Sequence, residues 1–441
     1  MTEPSRRTFL GCAGRLAVVG VGTGVAGCAS PLDGEPEPID VTDAELDAIA
    51  SIDAPSLPRS LPVDIVESRF ETFRDRARSL LDAVPEQLAA EIPNEAVREH
   101  VTDHRESARE RLATSDDESG YERLTTLASA RTDAAGAEGA YAAAVGDRDR
   151  EDVYAAVEPL RQRRADLETG LARVGETPQH AVIVYDVIES QLRRVTRRFE
   201  TVDAMAPVAS EVEAVGHAAP IVESCRASLD AAAHLRSRQN AAGDEAFDEP
   251  FETAAGELLA ELRDRAETVP DDRDGVGDVF DAPVEDTPRE WIADEVVRQR
   301  SLRDPERARE RLEEGAVATA LRQLYRIIHV LRTVDRLRSR IEEGAFERPG
   351  DAEPVRELKA TAVDEFESVL ADADHPWLAR DGLRFASTTL HRGDRRITDS
   401  GYPPDTAAVA SMGHYAMALE QVRATPATNR RFVDALRSPE Q

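Results

Sequence analysis

Apolar residues recur along this chain in steps of three and four. Val63, Val66, Phe70, Phe73, Ala77, Leu80 and Val84 form one series. Val153, Val157, Leu160, Leu167, Leu171 and Val174 form another, with Arg164 filling one slot. The pattern returns in Val184, Ile188, Leu192, Val195, Phe199 and Val202, and again in Val317, Leu321, Leu324, Ile328 and Leu331. A three–four repeat draws one apolar stripe down an α-helix, because about 3.6 residues make a turn. Such stripes are buried by packing helix on helix at shallow crossing angles of about 20°. The pattern therefore predicts an all-α fold, with long amphipathic helices packed as one or two helical bundles. Helices are predicted over 63–84, 95–113, 118–145, 150–174, 178–202, 207–240, 250–268, 288–302, 305–343, 353–372, 376–391 and 405–424.

Start signals agree with the stripes. Thr177, Thr287, Asp304 and Thr425 each stand before a proline, the order of an N-cap followed by proline at the first helical position. Thr287 with Glu290 reads as a capping box, and Asn94 and Asp149 read as further caps. Pro220 removes one backbone bond from its helix and is expected to kink it. Ala134 to Val145 is mostly Ala and Gly, so a neighbouring helix backbone is expected to come close there. Strand-like alternation is nearly absent; Ala181 to Ile188 is the one β-like run, and it continues a helical stripe. That excludes the two-lobed α/β architecture of ordinary solute-binding proteins. Asp271 to Asp286 holds Gly275, Gly277, Pro283 and many aspartates, and reads as an acidic Gly/Pro linker. It divides the chain into a helical bundle at 41–270 and a second helical unit at 287–441, each of single-domain size.

The first residues carry an address. Ser5-Arg6-Arg7-Thr8-Phe9-Leu10 precedes a Gly-, Ala- and Val-rich run from Leu16, which ends in Val25-Ala26-Gly27-Cys28. These residues resemble a twin-arginine export signal closed by a lipoprotein cleavage box, with Gly11 where many such signals carry Lys. The resemblance covers residues 1–28 only. It implies that residues 1–27 are a signal peptide led by Arg6 and Arg7, and that the chain is exported folded. It further implies lipid on Cys28, which would tether the protein to the outer face of the cytoplasmic membrane. A transmembrane anchor would need about 20 apolar residues, and Arg15 cuts this run short. Residues 28–40 read as a lipidated flexible tether; Pro31, Gly34 and Glu35-Pro36-Glu37-Pro38 favour an extended spacer.

Charge changes the picture next. The formal net charge is -31, and Lys359 is the only lysine. A strongly acidic chain with arginine in place of lysine resembles proteins of extreme halophiles, including halophilic archaea. Dense carboxylates stay hydrated in brine and repel one another when salt is removed. Disorder is the rival reading of such acidity, but 41% of residues are apolar and they are periodic. Nucleic acid and anionic membrane surfaces are poor partners, because the arginines are interleaved with Glu and Asp rather than clustered. Cys12 falls in the signal and Cys28 in the cleavage box, so Cys225 is left without a partner and no internal disulfide is expected. Its four-residue spacing from Ile221 and Leu229 makes it a buried apolar side chain.

Candidate chemistry is sparse. His100 and His104 lie four apart, a spacing that suits a metal, but no third ligand is evident and both fall on or beside an apolar stripe. The residue three before each histidine is never Glu, which excludes di-iron helical bundles. No Gly-rich phosphate loop, zinc spacing or local nucleophile motif appears, so no catalytic, metal or cofactor residue is assigned. The most apolar helices nevertheless hold charge: Asp186 beside Tyr185, and Arg322, Arg326 and His329 around Tyr325. Buried charges are normally paired, so Asp186 is expected to meet an arginine, with Arg326 the first choice. Tyr185, Asp186, Tyr325, Arg326 and His329 form the candidate buried polar cluster, as a structural ion pair or as the lining of a ligand pocket. These readings point to a lipid-anchored, non-enzymatic interaction or scaffold module with a possible protein partner. The alternative is a helical ligand-binding or receptor component of a transport or sensing system.

Overall fold

The computed structural model describes residues 39–89, 91–205, 211–270, 272–280, 287–399 and 401–437. The signal with Arg6 and Arg7, Cys28, and the tether up to residue 38 lie outside the described residues. Local chemistry sets the helix starts. Thr42 opens α1 (Asp43–Ala50) by accepting from the Glu45 amide, while Glu45 accepts from the Thr42 amide at 2.9 Å. α2 (Glu67–Asp82) buries Phe70, Phe73, Ala77 and Leu80, so its stripe is the predicted one, although Val63 and Val66 precede the helix. Asn94 caps α3 (Glu95–Thr114), and α4 (Gly120–Val145) follows. Asp149 caps α5 (Arg150–Ala155), which is followed by α6 (Val157–Thr169) and the short strand β1 (Val174–Gly175). Thr177 caps α7 (Pro178–Met205), accepting from the His180 amide. α8 (Glu211–Ala242) runs on through Pro220, and β2 (Glu245–Ala246) pairs antiparallel with β1.

The C-terminal half begins with α9 (Asp248–Glu267) and α10 (Arg273–Phe280). Thr287 is the N-cap of α11 (Pro288–Arg298), which tightens into a 3-10 turn, and Asp304 caps α12 (Pro305–Glu313). α13 (Val317–Glu342), α14 (Glu353–Ala371), α15 (Pro376–Thr398) and α16 (Pro404–Leu436) complete the chain. The fold is all-α, with long helices packed in bundle fashion. The main core runs through α7, α8 and α13, and a second cluster joins α1, α14, α15 and α16 around Leu390 and Tyr415. The Ala/Gly stretch of α4 lies against α8: a Cβ on Gly139 would come within 2.4 Å of Ala219 Cβ. No helix among the described residues is long and apolar enough to cross a membrane.

Several predicted boundaries are corrected. The single helix expected at 150–174 is two, because the Pro159 ring would clash with the Ala155 carbonyl of a continuous helix. Gly170 then ends α6, which leaves Val174 to β1. The helix expected at 305–343 also breaks. Gly315 takes φ 74°, and the Ala316 amide donates back to the Arg311 carbonyl at 2.8 Å, closing a left-handed C-terminal turn. At the far end the opposite holds: Thr425-Pro426 starts no helix, and α16 passes through both residues. The Thr425 hydroxyl donates to the Gln421 carbonyl at 3.0 Å instead of capping. Within the expected linker, α10 buries Val276 and Phe280 and packs on α11 and α13. α9, assigned from sequence to the first bundle, packs on α12, α13 and α16.

Candidate functional site: an arginine-rich crevice

Helical spacing brings one set of polar residues together. Ile183, Asp186, Ser190 and Arg194 follow one another at three or four residues along α7, so they share a face. Arg322 and Arg326 do the same on α13, and Trp377, Arg380 and Arg384, with Asp381, on α15. With Tyr121 and the segment Arg59 to Leu61 these faces enclose a crevice of about 280 Å³. Its lining carries six arginines (Arg59, Arg194, Arg322, Arg326, Arg380 and Arg384) against two carboxylates, Asp186 and Asp381. In a chain of net charge -31 this is a local reversal of sign.

Arg322 forms the buried end, with 4% of its surface exposed. One terminal nitrogen pairs with Asp381, and Nε stands 3.8 Å from Asp186 Oδ2. Nε and Nη1 have no hydrogen-bond acceptor among the described residues. Burial works against the Arg322 charge, but Asp381 and Asp186 outweigh it and hold the guanidinium firmly protonated. Burial likewise works against the Asp381 carboxylate, and Arg322, Arg326 and Arg384 hold it below the usual range. Asp186 goes the other way: burial raises it, despite Arg326 and Arg322. Beside them Gln191 donates to the Tyr121 hydroxyl at 3.0 Å, while its own Oε1 lacks a partner among the described residues.

The rim is cationic. Among the described residues, Arg59, Arg194, Arg326 and Arg380 have no carboxylate within ion-pair distance. The Arg380 guanidinium lies 5.8 Å from the Trp377 ring centre. Arg384 donates to the Pro58 carbonyl and Ser387 to that of Pro55, at 2.6 Å, which fixes the proline-rich segment along this edge. A guanidinium fork matches planar or tetrahedral oxyanions and is suited to bidentate contact. The arrangement is therefore equipped to bind a small anion.

The sequence-predicted cluster is only partly assembled here. Asp186 and Arg326 line the crevice together; Arg322 comes within 3.8 Å of Asp186, and Arg326 is the largest charge favouring its carboxylate. Tyr185 faces elsewhere: its hydroxyl accepts from the Val174 amide and donates to Asn240 Oδ1. The Tyr325 hydroxyl is buried 2.8 Å from Asn429 Oδ1 and 2.9 Å from the Leu378 carbonyl. His329 stacks on Phe385 and places Nε2 3.0 Å from the Gln421 carbonyl; burial pushes its pKa down to about 4. Sequence reasoning missed Asp381, Arg380 and Arg384, although Trp377, Arg380 or Asp381, and Arg384 carry the spacing of one helix face.

Two of the larger cavities are less distinctive. One of about 690 Å³ between α6, α7 and α12 sets five arginines against four glutamates, close to balance. Another, of about 510 Å³ beside α3, α4 and α8, is lined mainly by Ala, Val and Ile with His100 and His217. The His100 ring centre is 4.6 Å from that of His104 and 5.8 Å from that of His217. Among the described residues no group of three metal-ligating side chains is placed to hold a metal ion. Cys225 is buried, and burial pushes its thiol up to about 11, which removes it as a nucleophile.

No curated protein and no solved structure matches the chain. Residues 68–245 match one family, Domain of unknown function (DUF8262), and residues 248–434 match another, Domain of unknown function (DUF8264), with the boundary at β2.

Proposed function

We propose that this chain is a lipid-anchored, extracytoplasmic ligand-binding protein, and that its helical body holds a small anion in the crevice between α7, α13 and α15. The observation that carries this is the excess of guanidinium over carboxylate at one crevice of a strongly acidic chain. The address rests on Arg6, Arg7 and Cys28, with the membrane as partner through the lipid and brine as the surrounding solvent. The reading is of a binding role, supported by the guanidinium groups that line the crevice. The scaffold reading is weaker. Docking faces present contiguous apolar patches, and among the described residues Val66 is the one large apolar side chain that stands well exposed. A receptor of this kind would serve a transport or sensing system and pass its signal or solute to a protein partner in the membrane.

The test is thermal unfolding of the mature chain with citrate replacing chloride at fixed ionic strength. Binding to the folded state raises the midpoint by mass action, here by roughly 2 °C or more. The Arg326→Gln/Arg380→Gln double variant should lose that rise. Equal shifts in both proteins would remove the crevice as the anion site. For the address, Cys28→Ser should free the protein from the membrane fraction, and replacing Arg6 and Arg7 by Lys should hold the precursor in the cytoplasm.

A further inference from the structure

We infer that the crevice selects a short dicarboxylate, a ligand with two separate carboxylates, over a monoanion or a single phosphate; this rests on the anion-binding reading above. Two helices each present a pair of arginines four residues apart, Arg322 and Arg326 on α13 and Arg380 and Arg384 on α15. Four residues advance about 6 Å along a helix, so each pair offers two guanidinium groups one turn apart on a single face. Asp381 of α15 meets Arg322 of α13, which sets the two faces against each other. The crevice therefore offers guanidinium groups at more than one point: Arg322 at the buried end, between Asp381 and Asp186, and Arg326, Arg380 and Arg384 toward the rim. The buried end has unused capacity, since Arg322 keeps Nε and Nη1 without acceptors although 96% of it is covered.

Size and solvent narrow the ligand further. A cavity of about 280 Å³ admits a compact molecule and little more. Carboxylates roughly two to four carbons apart span the one-turn spacing of the arginine pairs. A phosphate concentrates its charge at one point and engages one end only. In concentrated chloride the screening length falls to about 3 Å, so a single charge contact is strongly competed. Two bidentate contacts made together by one short molecule keep their advantage, because the second is intramolecular once the first is made. Asp186 and Asp381 leave the lining with a net excess of four cations, which a dianion reduces without reversing.

The experiment is isothermal titration calorimetry on the mature chain in chloride buffer at constant ionic strength, with butyrate, succinate, glutarate, adipate and inorganic phosphate as ligands. It is run on wild type, Arg326→Gln and Arg384→Gln, which change partly exposed side chains and leave the Arg322–Asp381 pair in place. The expected result is at least tenfold tighter binding of one dicarboxylate than of butyrate, with each substitution erasing most of that margin. Dicarboxylates and butyrate bound equally, and all weakened by the substitutions, would overturn the two-headed ligand while leaving the anion site intact. Phosphate bound more tightly than every dicarboxylate would overturn it in favour of a charge-dense oxyanion. Binding that is absent, or the same in all three proteins, would overturn both this inference and the reading on which it rests.

Discussion

Lys359 is the only lysine in the chain, and its side chain is completely buried. Its ammonium donates to the Ile49 carbonyl at 2.8 Å and the Ala50 carbonyl at 3.1 Å, and pairs with Asp394 at 2.7 Å. The last carbonyls of α1 have no partner within their own helix, so this one cation satisfies them and fastens α1 to α14 and α15. Arginine, with its broad planar head, does not fit where three acceptors converge on one compact ammonium. Lys359→Met removes the cation shared by Asp394 and the two carbonyls, leaving the Asp394 carboxylate only the Tyr415 hydroxyl at 2.6 Å, and should cost about 3–5 kcal/mol in denaturant unfolding. Amine-selective reagents should leave Lys359 untouched in the folded protein and label it on unfolding. The buried histidines give a pH signature. Burial pushes His329 down to about 4 and His414 down to about 3. Because the Gln421 carbonyl only accepts, His329 Nε2 must carry the proton of the neutral ring. Both histidines gain protons more readily in the unfolded chain, so stability is whole above about pH 6.5 and falls as the pH drops toward their folded values. For His329 the loss is up to about 3 kcal/mol. Unfolding free energy measured between pH 7 and 4 should show this slope, and His329→Gln should remove only the His329 share, leaving that of His414; a flat wild-type profile would contradict the buried neutral rings.

Elements join through their ends as much as through their stripes. Glu189 of α7 accepts from the Thr319 amide at 2.7 Å and the Ala318 amide at 3.3 Å, so a carboxylate from the first family match closes the N-terminus of α13 in the second. Arg173 answers Glu189 at 2.8 Å and also reaches Asp248 and the Gly315 carbonyl. Gly315 holds φ 74° with open space at its Cβ position, so Gly315→Ala adds backbone strain without a clash. It should lower stability by about 1 kcal/mol in urea unfolding, and Gly315→Asn by less. That glycine stood in the sequence, as did Pro159, but each was read as lying inside a longer helix. The stripes and caps at Asn94, Asp149, Thr177 and Asp304 were legible because each depends on neighbours within four residues. The candidate site was less so. Adjacent residues of a helix point about 100° apart, so Tyr185 and Asp186, or Tyr325 and Arg326, do not line one crevice together. Spacing by three or four would have joined Arg322 to Arg326, and Asp186 to Ser190 and Arg194. It does not reveal that α15 brings Asp381 to Arg322, since periodicity orients a helix face without naming its neighbour.

At the scale of the whole molecule, charge is the dominant imbalance. The described surface holds many arginine–carboxylate pairs, such as Arg309 with Glu306 and Glu313, or Arg161 with Asp203, yet the chain keeps a formal excess of 31 negative charges. Exposed pairs of this kind contribute about 0–1 kcal/mol each, too little to offset repulsion summed over the whole surface. The core does not compensate by size of side chain: aromatic residues are 5% of the chain, and α4 and α8 meet through Ala and Gly. Cohesion is therefore expected to depend on salt. At about 1 M the screening length is near 3 Å and like charges on neighbouring helices scarcely interact, whereas at about 0.01 M it is near 30 Å and most of the surface repels itself. The mature protein is expected to lose helical circular dichroism as salt is diluted from molar to millimolar, and to regain it when salt is restored. Replacing the salt by an uncharged osmolyte of equal osmolarity separates screening from general exclusion, and should restore only part of the signal. An unchanged spectrum across the dilution would mean that helix packing alone holds the fold and that the acidity has no structural consequence.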